Sequence, residues 1–129
     1  MRVTSYREIK RILDVPEISR WLFKTHLPII PIGENCFYLR PNSKGLLIFI
    51  ENQRFTEMHA AFLAQDRPVK QKFIDAFKWM HENRGTEQIY GQVHKDNKLA
   101  RYMAHACGWD LVTQKGDTLI YGCEYGRNW

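Results

Sequence analysis

Long cation runs, paired cysteines and membrane-length apolar stretches are all missing from this sequence, and each absence removes a class of function. The charge balance is mildly basic, 19 Lys and Arg against 14 Asp and Glu, but no Lys/Arg run exceeds two residues. No RNP-type or zinc-finger motif accompanies it, so nucleic acid is not the expected partner. A net charge of +5 suits an anionic cofactor or an acidic protein surface equally well. Three cysteines, Cys36, Cys107 and Cys123, are odd in number and have no CxxC spacing. They read as buried reduced thiols of a cytosolic protein, and Cys107, at a helix end that raises a thiol pKa, is a poor nucleophile. His26, His81 and His94 lack ligand spacing, so no metal is expected. No apolar run nears the roughly 20 residues of a membrane span. The polar start, Met1 to Glu8, argues against a signal peptide, and a cytoplasmic location in a bacterial cell follows as the expectation. No repeat, low-complexity tract or linker divides the chain, so residues 1–129 are expected to form a single domain.

What is present is a globular composition, 44% hydrophobic and 13% aromatic. Ser5 and Glu8 form a capping box for a first helix carrying Ile9, Ile12 and Leu13 on one face. Pro16 opens a second, with Ile18, Trp21 and Leu22 at helical spacing. His26 to Glu34 reads as loop. Cys36–Arg40, Leu46–Glu51 and Phe55–Leu63 then form an antiparallel meander, because their connections are too short for a crossover. The middle strand is apolar at every position from Leu46 to Ile50, as expected of a strand covered on both faces.

Pro68 to Asn83 is a long helix with Val69, Phe73, Ala76, Phe77 and Met80 on one stripe, ended by Arg84-Gly85. Glu87–Val93 is a strand. Asp96 is expected to cap a helix that ends at Cys107-Gly108, and Trp109–Gln114 with Thr118–Glu124 closes the fold as a hairpin. A helical crossover joins the third strand to the fourth, so those two should run parallel. The fold class is α/β (α+β), with a mixed, largely antiparallel sheet flanked by helices.

The order helix, helix, three-strand meander, long helix, strand, helix, hairpin resembles the GNAT superfamily of N-acyltransferases. Residues carry the resemblance from Phe55 to Tyr125. His59-Ala60-Ala61-Phe62-Leu63 is similar to the end of that family's central strand. Phe73 to Asn83 is similar to its main helix. Asn97-Lys98-Leu99-Ala100, followed eleven residues after the Asn by Gly108-Trp109, is similar to its later helix. The texture of Lys78-Trp79-Met80-His81-Glu82-Asn83 is closest to short GNAT-like proteins of tailed phages.

The resemblance implies that the third and fourth strands splay apart to admit the arm of acetyl-CoA, and that an amine is acetylated. It places the cofactor on Phe62, Leu63, Gln65, Arg67, Val69, Lys70 and Asn97. In the loop Gln65 to Lys70, Pro68 stands where the family has its first glycine and Lys70 where it has a small residue. Pro68 removes an amide donor and Asp66 adds a negative charge, whereas Arg67 and Lys70 offer cations. Ala104 stands where a tyrosine commonly serves as the leaving-group acid.

Glu57 and His59 alternate onto one strand face and form the candidate base, or equally a polar outer face with a hydrogen-bonded core histidine. Lys98, Arg101 and His105 make a helical stripe that meets an anion or simply solvent. Trp21, Trp79 and Trp109 read as core or rim aromatics. Two functions stay open at this point. One is an acetyl-CoA-dependent acyltransferase. The other is an inactive GNAT-fold assembly component that partners virion proteins of a tailed phage. Self-association through the last hairpin suits either.

Overall fold

The computed structural model describes residues 1–16, 31–41, 45–61, 69–127 and 129. Its elements run β1 (Arg2–Val3), α1 (Tyr6–Leu13), β2 (Cys36–Leu39), β3 (Leu46–Glu51), β4 (Thr56–Ala61), α2 (Val69–Arg84), β5 (Gln88–His94), α3 (Lys98–Ala106), β6 (Asp110–Lys115) and β7 (Thr118–Glu124). Among the described residues the strands make one sheet in the order β1-β2-β3-β4-β5-β7-β6. Every neighbouring pair is antiparallel except β4 and β5, which run parallel across the α2 crossover as expected. The mixed α/β class and largely antiparallel sheet read from the sequence are the observed ones. The helix expected from Pro16 onward, Trp21 included, lies outside the described residues beyond position 16.

β3 explains its own unbroken apolar run. Residues opposite one another in an antiparallel pair share a face, and alternate residues point to opposite faces. Leu46 and Ile48 therefore join Ile9, Ile12 and Leu13 of α1 in one core, with Cys36, Tyr38 and Ala61. Leu47 and Phe49 join Phe73, Phe77 and Met80 of α2 in the other. Fully burying each large side chain contributes about 1.5–3 kcal/mol, so the two-sided burial of β3 anchors the sheet.

Local signals fix the helix ends. Ser5 Oγ accepts from the Glu8 amide at 3.3 Å, while the Glu8 carboxylate turns outward to Arg40 at 3.2 Å, so only half of the capping box forms. Gly85, at φ 70°, ends α2, and the Arg84 guanidinium ties that end to Glu51 on β3 through three contacts, the shortest 2.7 Å. The cap of α3 is Asn97, whose Oδ1 accepts from the Ala100 amide at 3.2 Å, and not Asp96 as expected. Asp96 is drawn back to His94, whose Nδ1 accepts its amide at 3.1 Å. β1 has no counterpart in the sequence reading, because two residues are too short to show a period. It pairs with Tyr38 and Leu39 of β2.

Candidate active site

β4 and β5 share a ladder at only two positions, Thr56 with Ile89 and Glu57 with Tyr90. Both strands continue well beyond it. β4 stays paired to β3 as far as Ala61 opposite Leu46, and β5 stays paired to β7 as far as His94 opposite Thr118. Each strand is held from its outer side while the inner sides part, so a cleft opens after Glu57 and Tyr90.

Gly91 marks the apex. A Cβ there would stand 3.4 Å from the Trp109 indole and 3.5 Å from the Met58 carbonyl oxygen, ordinary contact that leaves room for a methyl and no more. Trp109 is buried and leans on Phe73 of α2, ring centroids 5.5 Å apart, bracing β5 from below. The Met58 carbonyl faces across the gap, and strand alternation sends the Ala60 backbone groups the same way. Backbone amides inside a sheet need partners, and an extended arm bearing its own amides would supply them.

α2 begins at Val69. Val69 is half-buried against the core and Lys70 is exposed. The first turn holds no acid but carries Lys70 and Lys72, cations at the positive end of the helix dipole. That arrangement is unfavourable by a few tenths of a kcal/mol per charge and is relieved by an anion. Lys70 lies near enough to Cys107 to oppose burial, which nevertheless pushes that thiol up to about 11. Phe62, Leu63, Gln65 and Arg67, with Asp66 and Pro68, lie outside the described residues.

Glu57 and His59 are brought together as the strand period requires. His59 Nε2 lies 3.2 Å from Glu57 Oε2, and Asn52 Nδ2 donates to Glu57 Oε1 at 2.8 Å. An ionised carboxylate only accepts, so Nε2 carries the hydrogen. The side chain of His59 is 3% exposed and that of Glu57 29%, which leaves Glu57 as the partner that meets solvent. Asn52 also lines a cavity of about 520 Å³ that includes Phe55, Thr56 and Tyr90, on the closed side of the β4–β5 junction. Tyr90 is wedged there between Phe55, edge-on at 5.7 Å, and Gly122, where a Cβ would stand 3.1 Å from the ring.

Other expected residues fall elsewhere. Asn97 caps α3 at the end of that helix opposite Cys107. Of the α3 stripe, Lys98, Arg101 and His105 are exposed, Arg101 bonds the Lys95 carbonyl, and His105 leans edge-on against Tyr121. Ala104 packs against the core and Tyr102 points outward, 63% exposed. Asn52, Tyr90 and Gly91 escaped the sequence reading.

No family model matches the sequence, and no curated protein matches it. Solved structures do. A domain from Methanocaldococcus jannaschii aligns with TM-score 0.69 at 14% identity, over 96% of this chain and 96% of that one. Spermidine N-acetyltransferase of Vibrio cholerae, in complex with CoA and spermine, aligns with TM-score 0.65 at 13% identity, covering 98% and 95%. N-acetyltransferase PseH of Campylobacter jejuni, in complex with acetyl coenzyme A, aligns with TM-score 0.60 at 15% identity, covering 94% and 92%. The fold is thus that of GNAT N-acetyltransferases, with β4 and β5 as the splayed central pair.

Proposed function

We propose that this protein transfers an acetyl group from acetyl-CoA to an amine. One observation supports it above the rest: β4 and β5 pair at Thr56 and Glu57 and then diverge, exposing inner strand edges that an amide-bearing arm fits. Acetyl-CoA supplies an activated acyl carbonyl and a thiolate leaving group. Val69 and Lys70 at the α2 start, Asn97 at the α3 cap, and Phe62, Leu63, Gln65 and Arg67, which precede α2 in sequence, are the residues assigned to hold it. The cations of the α2 first turn meet its phosphates in place of the missing glycine amides.

The acceptor enters from the cavity that Asn52 shares with Phe55, Thr56 and Tyr90. Glu57 takes the amine proton through a water, since only a neutral amine attacks a carbonyl. His59 and Asn52 are positioning residues that fix the carboxylate by one hydrogen bond on each oxygen. Attack of the neutral amine would form the N–C bond and break the C–S bond; the nitrogen would release its second proton to solvent and the thiolate would take one up from solvent, because Ala104 offers none. Acetylation of a panel of primary amines by wild type and Glu57→Gln tests the assignment, with loss of turnover in the variant as the expected result.

A second reading retains the fold without turnover, as an assembly component of a tailed-phage particle. Pro68, Lys70 and Ala104, at positions where the family carries a glycine, a small residue and a tyrosine, are what favour it. Acetyl-CoA binding with no turnover on any amine, together with recovery of the chain in purified particles, would establish that reading.

A further inference from the structure

β6 ends the sheet, and among the described residues no strand covers its outer side. All six of its residues are exposed, including Leu111 at 51% and Val112 at 58%. An edge this long with apolar side chains invites another strand. Its pattern of faces says which one.

In an unbroken strand the first and sixth residues point to opposite faces. A six-residue strand laid antiparallel, end to end, on its own copy therefore has no face-matched register. β6 is not unbroken. Its pairing with β7 slips between Leu111 and Thr113, leaving Val112 as a bulge. Asp110, Thr113 and Lys115 sit opposite Gly122, Ile120 and Thr118, and so share one face. Leu111 and Gln114 sit opposite Tyr121 and Leu119, on the other face. Val112 packs toward Gly122, whose added Cβ it would approach to 3.3 Å, and so joins the first face. The order of faces is the same read from either end of the strand.

Charge follows the same symmetry. Asp110 begins the strand and Lys115 ends it, so a copy related by a twofold axis between Val112 and Thr113 sets each Asp110 opposite a Lys115. Leu111 then meets Gln114, and Val112 meets Thr113. A bulge ordinarily spoils an edge for pairing. In β6 it makes the strand complementary to itself.

We propose that β6 is a self-association edge, pairing antiparallel with β6 of a second copy of this chain across that axis. Main-chain hydrogen bonds extend the sheet from one copy into the next. The proposal does not depend on catalysis.

Sedimentation velocity from low micromolar to near-millimolar protein tests it, with Asp110→Lys, Lys115→Asp, the double swap and Val112→Lys. Arg127→Ala controls for the Asp110–Arg127 ion pair of 2.8 Å. The parent is expected to dimerise. Each single swap should weaken the dimer about tenfold, two symmetric pairs turning repulsive together, and the double swap should return it to within about threefold of the parent. Val112→Lys should leave a monomer. Amide exchange in β6 of the parent should slow as concentration rises, a readout that needs no variant. A monomer at every concentration overturns the proposal, as does a dimer indifferent to Val112→Lys or one that the double swap fails to restore.

Discussion

Glu57 and His59, two residues apart on β4, face each other across 3.2 Å, with the Glu57 side chain 29% exposed and the imidazole sealed at 3%. In the proposed reaction, the reachable member would accept a proton and the sealed member would orient it. Glu57→Gln keeps the shape and removes the base, so kcat for amine acetylation should fall by about a hundredfold to ten-thousandfold. Its melting temperature should change little, because Gln can still accept from Asn52. His59→Asn should lower kcat less and stability more, since it empties part of a buried position. Equal loss from both variants would remove the division of roles.

Gly91 tests the point where β4 and β5 part and leaves Glu57 and His59 alone. An added methyl meets Trp109 and the Met58 carbonyl at ordinary contact distances, so Gly91→Ala should fold with stability near wild type. Gly91→Val adds branches that crowd the same indole and carbonyl, a small-to-large change that typically costs 1–3 kcal/mol. The valine variant should also lose acetyl-CoA affinity by about tenfold or more as the strands shift. Calorimetry on both variants checks it. Undiminished binding in Gly91→Val would place the ligand elsewhere.

Asn97 carries a cap and an assigned ligand role, and two substitutions separate them. Asn97→Ala removes the acceptor for the Ala100 amide and should lower stability by about 1 kcal/mol, or about 3–5 °C in melting temperature. Asn97→Asp preserves the cap but adds a negative charge. If Asn97 meets an anionic ligand, the aspartate variant melts like wild type yet binds acetyl-CoA more weakly. Equal binding would confine Asn97 to its cap.

The cysteines give a pH signature. Burial lifts Cys107 and Cys123 from an ordinary 9.0 to about 11 each. A folded-state pKa raised above the unfolded value favours the protonated folded form, so the stabilisation is whole below pH 9 and is lost as pH climbs from 9 to about 11. Melting temperature should decline across that window, and native thiols should resist a disulfide reagent at pH 8 until denaturant exposes them. Rapid native labelling of two or more thiols at pH 8 would contradict this burial.

Periodicity made the scaffold legible. The unbroken apolar run of Leu46 to Ile50 announced a strand covered twice, the stripe of Phe73, Phe77 and Met80 announced the helix that covers one side, and the crossover between them fixed the one parallel pair. Glu57 with His59 was readable because a period of two puts both on one face. Less could be read where geometry depends on three dimensions. Asn52 reaches Glu57 only because the turn between β3 and β4 folds back. Gly91 matters through a tryptophan eighteen residues away. The bulge at Val112 breaks a period that sequence alone presents as regular. Asn97 displaced Asp96 as cap because His94 engages the aspartate, a competition that adjacent polar residues do not reveal in one dimension.

The most direct measurement is backbone amide NMR of the ¹⁵N-labelled protein titrated with acetyl-CoA, with ligand-free buffer as the blank. Saturable shifts concentrated at Met58 to Ala61 on β4 and Gly91 to Val93 on β5, with Lys70 following, are the expected result. Unmoved amides on both inner strand edges at millimolar ligand would contradict an acyl-carrier cleft between them.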